Sequence, residues 1–162
     1  MAAKVEFHTG VPDTLGFACR LLRKAYRRGA TVLCLAPRTT LDLLDRALWS
    51  FVERDFVPHA RLGTAAEAML RRTPIWLATS MPPAGAARDV VVNLGAELAI
   101  VEAGEAGEVG EAGEVREASE VRVIEIVGAD ADEVERGRNL WRRYKAAGFE
   151  ITHHPFKAAA EG

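Results

Sequence analysis

Arg138, Trp141, Arg142 and Lys145 stand at i, i+3, i+4 and i+7 in the segment 138–149. Wound as a helix at ~100° per residue, these four share one face, while Leu140, Tyr144 and Ala147 share the roughly opposite one. Two guanidiniums one turn apart can grip carboxylates in fork geometry, and an indole between them can cover an apolar group. A core has little use for three cations, and a fully solvated face has little use for an indole. The stripe therefore suits an acidic ligand that also carries an apolar group. Each charge-assisted contact contributes roughly 1.5–3 kcal/mol when partly shielded from water.

Motifs for covalent or cofactor chemistry are missing from the sequence. After the first expected strand, His8-Thr9-Gly10-Val11-Pro12 holds one glycine where a dinucleotide site uses Gly-x-Gly-x-x-Gly. There is no Gly-x-x-x-x-Gly-Lys-Ser/Thr loop and no Gly-x-Ser-x-Gly turn. His8, His59, His153 and His154 form no His-x-x-x-His pair and no Cys–His cluster at metal spacing. His153 and His154 read as surface or strand-end residues. Asp42 and Asp45 lie one turn apart and read as solvated face residues without an acid–base partner. Cys19 and Cys34 fall inside an expected helix and strand, where free cysteine behaves as a small core residue. The sequence points to a binding protein, with no catalytic residue, no cofactor and no metal site expected.

The elements that must position the stripe alternate along the chain. Lys4–His8 alternates apolar and polar residues and reads as a strand. Thr14–Arg28 reads as a helix on Leu15, Ala18, Cys19, Leu22 and Tyr26, with Asp13 as N-cap and Gly29 as its stop. Thr31–Ala36 is a continuous apolar run, as in a central strand covered on both faces. Thr40–Phe51 reads as a second helix on Leu41, Leu44, Leu48 and Phe51. Pro74–Ala78, Asp89–Leu94 and Val121–Val127 read as further buried strands. Asp132–Ala147 reads as the helix that carries the stripe, and Phe149–Thr152 as a final strand. Loops are expected within Phe56–Thr64 and at Pro82-Pro83-Ala84-Gly85. The pattern is that of an α/β domain, with a mainly parallel central sheet and helices on both faces.

The net charge of −2 divides unevenly. Residues 1–101 carry 13 Lys/Arg against 9 Asp/Glu, whereas residues 102–120 carry one Arg against seven Glu. Residues 138–162 return to an excess of cations, five against two. The body is mildly basic, and the acidity sits in a tract where glutamate recurs every third residue among four glycines. Those glycines oppose a helix, and few large apolar groups are there to bury, so 102–120 is expected to be a solvated insertion. Charged residues at 27% and hydrophobic ones at 49% fit one globular domain of this length. No apolar run is long enough to span a bilayer, and the N-terminus lacks a signal-peptide core, so a cytoplasmic protein is expected.

Four ordered stretches resemble the chi subunit family of bacterial DNA polymerase III. They are Leu44-Asp45-Arg46-Ala47-Leu48-Trp49 leading to Phe56-Val57-Pro58-His59, then Arg88-Asp89-Val90-Val91-Val92-Asn93-Leu94, then Val123-Ile124-Glu125-Ile126-Val127, and finally Arg138 to Phe149. The resemblance implies a Rossmann-like three-layer fold over residues 1–157, interrupted by the Glu/Gly tract, and no catalytic activity. It implies an adaptor that binds the acidic C-terminal tail of single-stranded DNA-binding protein, which ends in Pro-Phe with a free carboxylate. It also implies a second partner, the psi subunit of the clamp loader or an accessory helicase, with DNA contacted only indirectly. Residue by residue, Arg138, Trp141, Arg142 and Lys145 match the tail-binding stripe. Trp141 and Arg142 stand where the family commonly has Tyr and Lys. Val127 matches an apolar wall of that pocket, and Lys157 a C-terminal basic position.

Trp49, Phe56, Val57 and Pro58 admit two readings from the residues alone. They close the bottom of the core, or they form an exposed aromatic–proline interface. The resemblance implies the interface. Two functional alternatives from other classes stand beside the adaptor. One is direct single-stranded nucleic-acid binding through stacked aromatics and cations. The other is an α/β nucleotide enzyme with an unfamiliar site.

Overall fold

The computed structural model of the chain describes residues 4–50, 56–82, 88–96 and 122–157. The Glu/Gly tract at 102–120, any helix leading into the strand at Val121, and most of the loop after Pro82 lie outside these residues. In chain order the elements are β1 (Lys4–Val11), α1 (Thr14–Arg27), β2 (Val32–Leu35), α2 (Arg38–Ser50), β3 (His59–Arg61), α3 (Glu67–Arg72), β4 (Ile75–Ala78), β5 (Val90–Asn93), β6 (Arg122–Gly128), α4 (Ala131–Ala146) and β7 (Glu150–Pro155). The strands form one sheet in the order β3-β4-β2-β5-β6-β1-β7, and every pairing is parallel.

Side chains alternate across a strand, so each apolar run feeds both faces of this sheet. Val32 and Cys34 of β2, Val90 and Val92 of β5, and Ile124 and Ile126 of β6 pack with α1 and α2. Leu33, Leu35, Val91, Val123 and Val127 pack on the other face with Leu140 and Tyr144 of α4. The result is the expected α/β three-layer architecture. Among the described residues, no helix is long and apolar enough to cross a membrane.

Helix ends follow local chemistry. Asp13 accepts from the backbone N–H of Gly16 at 3.0 Å, and Asp130 does the same for Glu133 at 2.9 Å, so both helices start on carboxylate caps. Helices α1 and α4 end in left-handed glycines, Gly29 at φ 76° and Gly148 at φ 84°. At the second, Phe149 N–H donates to the Tyr144 carbonyl, Gly148 N–H to that of Lys145, and the Tyr144 and Phe149 rings meet at 4.9 Å. This closes the carbonyl end of α4 and turns the chain into β7.

Two elements stand where the sequence predicts neither strand nor helix: β3 within the loop region expected at Phe56–Thr64, and α3 just after it. β3 is three residues long, too short for alternation to register, and α3 buries no residue, so it has no apolar stripe to read. The carboxylates of α2 also depart from expectation. Asp45 meets His59 Nε2 at 2.8 Å, and Asp42 accepts from Arg61, so both tie α2 to β3 rather than standing free in solvent. Behind β4, Arg88 stacks on the Trp76 ring at 3.3 Å and donates to the carbonyls of Thr73 and Pro74. Cys19 and Cys34 are buried free thiols, and burial pushes them up to about 11 and about 12.

Candidate functional site

Helix α4 is built with two unlike faces. Asp132 and Glu133 lie in its first turn, and Arg143 and Lys145 in its last, both of which complement the helix dipole. Its inward face is Gly137, Leu140 and Tyr144, all buried. A Cβ on Gly137 would come within 2.9 Å of Val127 Cγ1, so only glycine lets the helix settle this close to β6. Val127 is 2% exposed. It therefore supports the helix from below and offers no open wall, contrary to the role expected of it.

Arg138, Arg142 and Lys145 are exposed along the outside of α4. Among the described residues, no hydrogen bond or ion pair engages them. Trp141 between them is half-buried. Its ring leans on Phe7 at 5.1 Å and meets His153 of β7 edge-on at 5.7 Å. The indole is thus held by Phe7 of β1 and His153 of β7, and Arg138 and Arg142 are its neighbours along the outer face of the helix. Lys157 is exposed just beyond the end of β7. The helix face can hold an anionic, partly apolar ligand without first breaking internal ion pairs.

Beneath α4 lies a polar network at the level of the sheet. Glu125 of β6 is 0% exposed. Its Oε1 accepts from Tyr144 Oη at 2.6 Å and from Asn93 Nδ2 at 3.0 Å. Its Oε2 faces Arg136 Nη1 at 3.8 Å, and neither atom has a hydrogen-bond partner among the described residues. Arg136 is held in place by Glu133 at 2.7 Å and by the Ile126 carbonyl at 3.0 Å. Burial dominates and raises Glu125 to about 7, against the pull of Tyr144, Asn93 and Arg136. The Tyr144 hydroxyl is shifted upward by its own burial and by the Glu125 charge. A lone carboxylate inside an apolar strand was the sequence signal for this network. Nothing in the spacing of Asn93, Arg136 and Tyr144 announces that they converge on it.

The second expected surface divides. Trp49 and Phe56 are 59% and 58% exposed, with rings 5.3 Å apart, and Trp49 also rests on His59 at 4.9 Å. Pro58 is half-buried. Val57 is 2% exposed and packs into the core under α2, so it is not part of the outward patch. His59 braces Trp49 from below, its Nε2 on Asp45 and its Nδ1 at 2.7 Å from the Val57 carbonyl.

One group of side chains has no counterpart in the sequence motifs. Glu6 and His8 of β1 and His154 of β7 present ligand atoms within 4.8 Å of one another. Only the β1–β7 register, which pairs His8 with His154, brings residues so distant in the chain together.

The family model described as DNA polymerase III chi subunit, HolC, matches residues 2–152. The chain is 33% identical over 141 residues to DNA polymerase III subunit chi of Pseudomonas aeruginosa, covering 86% of this chain and 84% of that protein. Among solved structures, it superimposes on S. cerevisiae Dbp5 bound to Gle1 and IP6 with a TM-score of 0.60 at 18% identity. That match covers 96% of this chain but spans only 42% of the Dbp5 chain. The C-terminal domain of S. cerevisiae Dbp5 bound to Gle1 and IP6 gives a TM-score of 0.57 at 17% identity, covering 96% of this chain and 90% of that chain. At such identities the likeness to Dbp5 describes the fold alone. The family match over nearly the whole sequence decides the matter: this chain belongs to the DNA polymerase III chi subunit family and is a non-catalytic accessory subunit of that replicase.

Proposed function

We propose that the outer face of α4 receives the acidic C-terminal tail of a single-stranded DNA-binding protein. In this reading the Trp49–Phe56 patch docks the psi subunit of the clamp loader or an accessory helicase. The observation that carries the first half is the pair of exposed guanidiniums, Arg138 and Arg142, flanking a half-buried indole. The guanidiniums take the terminal carboxylate and an upstream acidic side chain. The edge of Trp141 covers the terminal ring, and Lys145 with Lys157 adds attraction at longer range. The carrier of the second half is a pair of exposed aromatic rings in contact with each other, the residue type that anchors protein interfaces. No bond is made or broken, so the protein acts by bringing two partners together.

Fluorescence anisotropy with a labelled acidic peptide ending in Pro-Phe tests the tail site. Arg138→Ala and Arg142→Ala are each expected to weaken binding by roughly tenfold or more, one charge-assisted contact being worth roughly 1.5–3 kcal/mol. Amidating the peptide's C-terminus removes the carboxylate and produces a loss of similar size. Labelled single-stranded oligonucleotide is the competing probe. Because Tyr144 is buried, Trp141 is left without a second stacking platform from α4. Tight oligonucleotide binding without peptide binding replaces the proposal. Trp49→Ala with Phe56→Ala is expected to abolish capture of psi or the helicase while peptide affinity stays unchanged.

A further inference from the structure

We propose that Glu6, His8 and His154 form a binding site for a divalent transition metal ion of the zinc, nickel or copper type. The site bridges β1 to the edge strand β7. His8 and His154 are direct partners in the parallel register, and their rings stack at 4.9 Å with 19° between planes. Glu6 lies two residues before His8 on the same face, its Oε2 at 3.8 Å from His8 Nε2. That distance is too long for a hydrogen bond. It is close to the separation of two donors on one tetrahedral ion, about 3.4 Å for bonds of about 2.0–2.1 Å. Closing it takes a few tenths of an ångström. His154 is exposed on the outermost strand and is free to turn its ring by the remainder.

The surroundings fit a ligand set of two imidazoles and one carboxylate. Arg122 donates through Nε and Nη2 to Glu6 Oε1 at 3.1 and 2.8 Å, and through Nη2 to Oε2 at 2.9 Å. The guanidinium fixes the carboxylate, and Oε2, which takes one donor against two on Oε1, keeps a lone pair for the ion, the supporting role that an outer hydrogen bond plays for a metal-bound carboxylate. Phe17 packs against His8 at 5.2 Å and limits its ring to this orientation. Two imidazoles and one carboxylate suit borderline ions over calcium or magnesium. Both thiols are buried, so cysteine does not compete for the ion. An ion here would pin β7, which among the described residues is paired on one side only, and β7 carries on its other face the His153 ring beside Trp141.

The test is calorimetric titration of the untagged full chain with zinc chloride, with cobalt(II) absorption as a second readout. One saturable site per chain is expected. His154→Ala should weaken it at least tenfold, and Glu6→Gln should weaken it less. His153→Ala is the internal control, because its ring lies on the opposite face with Nε2 at 2.6 Å from Thr9 Oγ1. It should leave zinc affinity unchanged. With chelator present, the parent and His154→Ala should melt at the same temperature, and zinc should raise only the parent. An equal loss in His153→Ala, an unchanged isotherm in His154→Ala, or no saturable binding overturns the site.

Discussion

Glu125→Gln isolates the buried network under α4. In the folded chain burial lifts the Glu125 carboxyl to about 7 from the ordinary glutamate value of 4.5. The unfolded chain releases that proton near pH 4.5, while the folded chain retains it until about pH 7. Between those values the native state binds more protons, so stability falls as pH rises. The contribution is fully present below about pH 4.5 and is lost by the time pH has passed through 7. At about 1.4 kcal/mol per pKa unit, the whole loss is on the order of 3 kcal/mol. No discount for solvent screening applies, because the carboxyl is 0% exposed. Glutamine keeps an Oε1 acceptor for Tyr144 and Asn93 and removes the charge. Its amide replaces the Oε2 that faces Arg136 without a hydrogen bond, so the variant loses no hydrogen bond there, only the attraction between the two charges.

Urea denaturation of parent and variant at pH 5, 6, 7 and 8 reads the effect. The variant is expected to gain on the parent by up to about 3 kcal/mol across that range, or roughly 6–12 °C in Tm for a domain of this size. Taking the difference removes the other titrating groups. That matters because His8, whose pKa is lowered chiefly by burial, changes stability in the opposite sense as pH falls. Parallel pH profiles for the two proteins would refute the reasoning. They would mean that Arg136 at 3.8 Å keeps Glu125 ionised throughout, and that the attraction exceeds the cost of burial.

Gly137→Ala is expected to cost about 1–3 kcal/mol by forcing a Cβ onto Val127, with Gly137→Ala/Val127→Ala recovering part of it; undiminished urea midpoints would show that α4 can lift off β6 freely. His59→Ala should lose about 1–3 kcal/mol and shift Trp49 emission to the red, since it removes both the Asp45 contact and the ring under the indole. Arg142→Lys should reduce peptide affinity less than Arg142→Ala, because charge persists while the fork is lost, and the opposite order would argue against a carboxylate on that residue. Raising salt from low to physiological strength should weaken the peptide complex moderately, as befits a few exposed charges; complete insensitivity would remove Arg138 and Lys145 from the site.

The strands and long helices were legible because their periodicity survives in the sequence. Val32 to Leu35 is apolar throughout since both faces of β2 are covered, and Leu140 with Tyr144 marks the buried side of α4 by spacing alone. The outward placement of Arg138, Arg142 and Lys145 follows from the same helical count. What spacing could not carry was anything decided by the register between distant strands. His8 and His154 meet because β1 pairs with β7, and Asn93 reaches Glu125 because β5 pairs with β6. Val57 looked like its neighbours Phe56 and Pro58, yet a single residue's turn into the core separates it from them. The short β3 and α3 bury too little to leave a pattern.

The α4 helix therefore presents two electrostatic environments that respond to different variables. Arg136 and Tyr144 point to Glu125, whose charge state is set by burial, while Arg138, Arg142 and Lys145 face solvent one turn away. The charges that act on Glu125 are those of Arg136 and Glu133, both in the first half of the helix, and none from the outer stripe. A proton gained or lost at Glu125 should therefore change how firmly α4 is held to the sheet without changing the charge it offers outside. Stability should titrate between about pH 4.5 and 7, while peptide affinity over the upper part of that window should stay level until the ligand's own groups titrate. If affinity instead follows the Glu125 titration, Trp141 is the link, because it rests on Phe7, which also packs against Tyr144 at 5.8 Å. Tyr144→Phe separates the two cases. It removes the hydroxyl from Glu125 and keeps the ring against Phe7, on which Trp141 rests, so it should alter the stability profile and leave peptide binding as it was.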